Sequence, residues 1–257
     1  MKKVGNFFRY IFRDSKFGKF WIKAHLQYLA LAGLMYGIKA GLYFLIAYIP
    51  ADPIYFHHTI DSNIPLVPFF YFFYLLYYIV PEIFIWILSF FDRKKAVTIV
   101  VAGVSSTIIA CIVFLIQQVK MARPEAEMLA YSEFSSVHNL NDLFKYGINW
   151  QYHADETALN CFPSLHATVG MALAMVGLWT GKDEKHFPIG LRIFCTLFGF
   201  GIVMSTFFVK QHYFVDAIMG AFLFTFFYFQ FKWFFVPLYL ARKEAKLAKL
   251  EEKKLEA

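Results

Sequence analysis

Residues 96–119 read Ala-Val-Thr-Ile-Val-Val-Ala-Gly-Val-Ser-Ser-Thr-Ile-Ile-Ala-Cys-Ile-Val-Phe-Leu-Ile-Gln-Gln-Val, a run without a single charged side chain. A helix needs about 20 apolar residues to cross the hydrocarbon core of a bilayer, and this run supplies them. Arg93-Lys94-Lys95 stands just before it and Lys120 and Arg123 just after it. Comparable apolar blocks recur at about 25–49, 66–91, 165–181, 188–209 and 213–236. The expected fold is all-α, a polytopic membrane protein whose six transmembrane helices form a bundle.

Composition agrees. Of 257 residues, 59% are hydrophobic and 17% charged, against about 45–50% and about 25% in soluble domains. Thirty-three phenylalanines would overfill a water-soluble core. A disordered chain, a disulfide-rich secreted module and an ordinary cytosolic enzyme are thereby excluded. Cys111 and Cys195 lie inside apolar blocks and Cys161 has no obvious partner, so the cysteines give no disulfide framework. The net charge of +7 is placed for lipid rather than nucleic acid: basic residues are not interleaved with aromatics on a polar sheet, and no nucleic-acid partner is expected.

The charges also set the orientation. Lys and Arg crowd residues 1–23, the Arg93–Lys95 turn, Lys182, Lys185 and Arg192, and the chain from Lys232 onward. Only Lys120, Arg123, Lys145 and Lys210 fall on the other side, and Lys39 sits within the first block. The positive-inside rule places both termini in the cytoplasm of a multi-pass cell-membrane protein, with 50–65, 120–164 and 210–212 facing outward. Three segments result: a basic amphipathic one at 1–24, a six-span domain at 25–240, and a charged helical tail at 241–257. The first suits an anionic leaflet or simply flanks the first span. The long stretch 125–163 reads as a loop, either a lid over the site or a plain connector.

The outward ends of the spans collect polar residues that are far apart in sequence. Ionisable groups beside hydrocarbon are expensive and default to a functional reading. Arg123 can grip two phosphate oxygens in its planar fork, and Lys120 and Lys210 supply point charges. Ser164 opens a helix whose free N–H groups suit an anion. His212 and Asp216 are four residues apart and share a helix face. A carboxylate there can fix the imidazole tautomer and leave the other nitrogen nucleophilic, with His166 as general acid. A zinc site from His166, His212 and Asp216 is the competing reading.

The stretches Asn160-Cys161-Phe162-Pro163-Ser164-Leu165-His166 and Ser205-Thr206-Phe207-Phe208-Val209-Lys210-Gln211-His212-Tyr213-Phe214-Val215-Asp216 resemble the second and third motifs of the type-2 phosphatidic-acid phosphatase superfamily. Their Phe-Pro-Ser-Leu-His and Lys-Gln-His forms are similar to its inositol phosphorylceramide synthase-like bacterial branch. Met121-Ala122-Arg123-Pro124-Glu125 resembles the first motif. The resemblance implies a metal-independent and cofactor-free enzyme that forms a phosphohistidine. It implies His212 as nucleophile, Asp216 as its orienter and His166 as acid, with Arg123, Ser164 and Lys210 on the phosphate. Better-known members carry lysine where this chain has Ile116 and arginine where it has Thr206, so Lys120 and Lys210 are expected to restore the charge. The implied activity is a lipid phosphate phosphatase acting at the outer face on a phospholipid or polyprenyl phosphate. A head-group phosphotransferase that passes phosphate or phosphoinositol to a lipid alcohol is the first alternative, and a non-catalytic scaffold or transporter the second.

Overall fold

The computed structural model describes residues 52–56, 59–178 and 187–235, together with Gly33, Gly37, Gly41, Leu45, Ile46, Ile49 and Pro237. The amphipathic segment 1–24, most of the first expected span and the tail 241–257 lie outside the described residues. Nine α-helices are described: α1 (Thr59–Asn63), α2 (Tyr71–Leu76), α3 (Val80–Phe91), α4 (Arg93–Ile116), α5 (Glu125–Met128), α6 (Leu140–Ala154), α7 (Leu165–Gly177), α8 (Ile189–Phe208) and α9 (Phe214–Gln230). Short 3-10 turns precede α2 and follow α5, and a π turn extends α9 to Phe235. The described residues hold one isolated bridge, between Ile54 and Val119. The chain is all-helical in class.

Among the described residues, three helices are long and apolar enough to cross a bilayer: Lys94–Ile116, Ile189–Phe208 and Phe214–Phe235. A fourth crossing requires Pro68–Leu76 and Val80–Phe91 to act as one span, bent by 48°. The expectation of an unbroken helix over 66–91 is therefore corrected. The cause stands in the sequence as Pro81, which has no N–H to donate back and whose ring collides with the carbonyl four residues earlier, that of Tyr77.

In the block read as 165–181 the described helix is Leu165–Gly177, and residues 179–181 lie outside the described residues. This helix is the hub of the bundle, with α3, α4, α8 and α9 all packed on it. Ten of its thirteen residues are buried, so protein rather than lipid surrounds it. Its crossing with α8 is close because two glycines meet there; a Cβ on Gly170 would lie 2.8 Å from the carbonyl oxygen of Gly199. Small residues let membrane helices approach in this way, where dispersion must do what the hydrophobic effect cannot. The core continues through Leu173, Val176, Cys195, Ile202 and Phe224.

Cations close the C-terminal end of α7. Buried Lys95 donates from Nζ to the carbonyl of Leu178 at 2.7 Å, and Arg192 donates from Nε to that of Gly177 at 3.0 Å. Positive side chains at a helix C-terminus satisfy orphan carbonyls and the negative end of the dipole. The opposite end of α7 therefore meets the candidate site, at the end of α4 remote from the Arg93–Lys95 turn.

The stretch expected as a long loop is also corrected. Residues 140–154 form α6, whose N-cap Asn139 accepts from the Asp142 N–H at 3.0 Å. Its buried Ile148 and Tyr152 pack with Tyr71, Tyr74, Met128 and Val209.

Candidate active site

After α4 the chain extends and becomes a spacer between two loops. Ile54 donates to the Gln118 carbonyl and accepts from the Lys120 N–H, at 3.0 and 2.9 Å. On the other side, Cys161 donates to Val119 and Met121 to Ala158, each at 3.1 Å. The segment carrying Arg123 is thus laid beside the segment that opens α7.

Ser164 is the N-cap of α7. Its Oγ accepts from the Ala167 N–H at 3.2 Å, and its own N–H donates to the Asp216 carbonyl at 3.0 Å. That bond ties the start of α7 to the start of α9. Tyr213 and Asp216 form a reciprocal capping box on α9, the Tyr213 N–H donating to Asp216 Oδ2 at 2.9 Å.

The two histidines, 46 residues apart, meet at the junction: His166 Nδ1 lies 3.1 Å from His212 Nε2. The tautomers follow from the remaining partner. His212 Nδ1 is 2.9 Å from the carbonyl oxygen of Cys161, and a carbonyl only accepts, so Nδ1 carries the hydrogen. In the neutral ring Nε2 then holds the lone pair, and His166 Nδ1–H donates to it. The carboxylate of Asp216 is 3.8 Å from Nδ1, beyond a hydrogen bond. The sequence reading gave Asp216 the orienting bond, whereas here a backbone carbonyl makes it and the fully buried carboxylate supplies charge. Its Oδ1 has no hydrogen-bond partner among the described residues.

His166 is bordered by aromatic rings, Tyr74 stacked at 4.7 Å and Tyr77 at 4.2 Å between centroids. Neither tyrosine stands out in the sequence, because both sit in an aromatic block that reads as core.

The cations expected on phosphate are held by the protein. Arg123, with a side chain only 1% exposed, pairs through Nη2 with Asp155 Oδ2 and with Gln211 Oε1, each at 2.6 Å. Its Nη1 donates to the carbonyls of Asp155 and Tyr152, and Tyr152 stacks beneath the guanidinium. Its Nε finds no partner among the described residues. Lys210, in the left-handed region at φ 54°, donates from Nζ to the carbonyls of Asp61 and Ile64. Asp61 Oδ1 in turn accepts from the Phe214 N–H at 2.8 Å, which fastens α1 to the mouth of α9. Desolvation lowers the pKa of Lys210, with Asp61 and Glu127 opposing. Lys120 is half-buried next to this cluster.

The two departures from the pattern of better-known members are also placed. Ile116 is 78% exposed at the end of α4, and Thr206 is fully buried with Oγ1 turned back on the Val203 carbonyl. Its own carbonyl accepts from the N–H groups of both Gln211 and His212, at 3.0 Å. Neither position holds a charge for a ligand.

Among the described residues one trio has metal-ligand chemistry: Cys161 Sγ, a ring nitrogen of His212 and an Asp216 oxygen lie within 4.8 Å of one another. The sequence reading had nominated His166 rather than Cys161 for such a set. The thiol donates to the Ala158 carbonyl at 3.1 Å, and burial pushes its pKa up. Both features favour the protonated thiol, whereas a metal takes the thiolate.

Asp155, Gln211, Asp61, Tyr74, Tyr77 and the Cys161 carbonyl thus join the site without having been assigned a role from sequence. Asn160 belongs with them: it is 2% exposed at φ 59°, and neither side-chain amide atom has a partner among the described residues.

A profile of the PAP2 superfamily matches residues 48–229, a span that contains all three motifs and both histidines. The chain belongs to the PAP2 superfamily, whose members are typically phosphatases or phosphotransferases of lipid phosphates. Comparison with curated proteins and with solved structures returns no match.

Proposed function

We propose that the chain is an integral membrane lipid phosphate phosphatase that works through a phosphohistidine on His212, at the outer face of the cell membrane. The observation that carries this is the 3.1 Å contact between His166 and His212, with the His212 lone pair on the atom that faces His166. Substrate phosphate takes the place of that hydrogen bond. Nε2 attacks phosphorus, the N–P bond forms, and the P–O bond to the lipid breaks. The leaving oxygen takes its proton from the imidazolium form of His166, whose Nδ1–H already points into the gap, and leaves that ring neutral.

The Nδ1–H stays on the Cys161 carbonyl, so the phosphorylated ring carries positive charge. The buried Asp216 carboxylate 3.8 Å away offsets it. His166 then accepts a proton from water as the water oxygen attacks phosphorus, and the N–P electron pair returns to Nε2. Arg123, Lys120, Lys210 and Ser164 hold the phosphate oxygens, Arg123 and Lys210 by exchanging their present protein partners. No step calls for a metal or a cofactor.

Brief reaction with a phosphate-labelled short-chain phosphatidic acid and alkaline quenching tests the reading. Label should stay on the protein through base and leave in acid, as a phosphoramidate does, and it should vanish in His212→Ala. A fully active His212→Ala protein overturns the mechanism. Product bearing the label on an added lipid alcohol instead of free phosphate identifies a phosphotransferase.

A further inference from the structure

Arg123 Nη2 donates to Gln211, the residue directly before His212. Nη2 already holds two oxygens and Nη1 two carbonyls, while Nε–H is buried without a partner among the described residues. A phosphate can therefore gain a two-point grip only by taking a donor from an occupant. The Asp155 carboxylate is the occupant that resembles phosphate, with the same sign of charge, the same planar-fork complement and a charge-assisted bond of 2.6 Å.

We propose that Asp155 is a built-in competitor for phosphate on Arg123, and that this competition loosens the hold on phosphate so that the inorganic product is released. The proposal rests on Arg123 being the phosphate clamp, as in the function proposed above. Asp155 is placed to yield. Its carboxylate is 25% exposed at the C-cap of α6, and its backbone is held independently. The backbone N–H donates to the Gln151 carbonyl and the backbone carbonyl accepts from Arg123 Nη1. Rotation of one side chain toward solvent then frees Nη2 without unwinding the helix.

The effect follows from charge. Asp155 brings one negative charge to Arg123, and any phosphate that takes Nη2 must displace it, so the competitor lowers the affinity for phosphate by the same factor whatever ester it carries. After hydrolysis the returning carboxylate helps to expel inorganic phosphate.

The test uses the full chain in detergent with inorganic phosphate as the binding probe, followed by calorimetry. Asp155→Asn keeps an oxygen for Nη2 and removes the charge. It should tighten phosphate binding about tenfold, the scale of one hydrogen bond to a charged group. It should also strengthen inhibition by inorganic phosphate of turnover on short-chain phosphatidic acid by a similar factor. Asp155→Glu, which keeps the charge, should bind phosphate within about twofold of the parent. Asp155→Ser stands in for the asparagine variant if that one fails to fold.

Unchanged phosphate affinity in a folded neutral variant overturns the proposal, as does an equal gain in Asp155→Glu. Arg123→Gln separates the two readings. If it leaves phosphate binding intact, Arg123 is not the clamp and the underlying assignment fails. If it weakens binding while Asp155→Asn strengthens nothing, only the competitor role fails.

Discussion

Gly220 offers a quantitative check on how the bundle builds its site. A Cβ there would overlap the carbonyl oxygen of Ser164, with the carbonyl carbon 3.1 Å and Ala167 Cβ 3.2 Å away. All of these atoms belong to packed backbone or to its first side-chain carbon, so no flexible group can swing aside. Gly220→Ala must therefore part α9 from the start of α7. Overpacking of this kind costs about 1–3 kcal/mol, which lowers the melting temperature by roughly 2–12 °C at about 2–4 °C per kcal/mol.

The chemistry should suffer more than the fold. Ser164 caps α7 and His166 lies two residues further on, so the displacement carries into the pair with His212. A misplacement of about 1 Å costs about 10²-fold in rate, and turnover on short-chain phosphatidic acid should fall by that order. Gly103→Ala is the control: a Cβ there meets nothing within 4 Å. It should melt at or slightly above the parent, because alanine is the better helix former by about 1 kcal/mol. Differential scanning fluorimetry and initial rates on the three purified proteins decide the matter. Parental melting and turnover in Gly220→Ala would refute the close approach of α7 and α9.

Lys210→Gln should lower both melting and turnover, since a glutamine cannot reach the Asp61 and Ile64 carbonyls together; loss of turnover alone would show that the lysine serves phosphate and not the α1 loop. Lys95→Met should destabilise by about 1–3 kcal/mol through the uncapped Leu178 carbonyl while KM stays near the parental value, and an unchanged melt would remove the capping role. Impermeant thiol reagent applied to intact cells should label Asn141→Cys and spare Lys94→Cys. Both positions are exposed and the native cysteines are buried, so the opposite pattern would reverse the assigned orientation.

Lipid-facing helices were the most legible part of the fold. The blocks read at 96–119, 188–209 and 213–236 fall within three residues of Lys94–Ile116, Ile189–Phe208 and Phe214–Phe235, because every lipid-exposed turn must be apolar. Hydropathy is blind to a bend, however, and the block 66–91 hid one at Pro81. It is equally blind to α6, whose alternating polar and aromatic residues carry low hydropathy although Asn139 and Asp142 spell out a helix start. In the site, the histidine pair was legible from its motifs. Arg123's partners were not, since Asp155 and Gln211 lie 32 and 88 residues away and ordinary polar residues announce no pairing. The Cys161 carbonyl had no signature at all, being backbone.

The engaged state of Arg123 and Lys210 has a physical origin that bears on catalysis. A cation at the membrane boundary without a partner is costly, so a site that must present positive charge to phosphate cannot leave that charge bare between turnovers. Here a carboxylate, an amide oxygen and four backbone carbonyls hold the two cations. In the proposed mechanism entering phosphate exchanges such oxygens for its own, and the donors need little reorientation as charge develops on phosphorus, which is the condition under which fixed dipoles and charges lower a barrier most. The carbonyls on Lys210 are neutral and can be outcompeted by any anion. The carboxylate on Arg123 is charged and competes harder, and that difference places the proposed competition for phosphate at Arg123 rather than at Lys210.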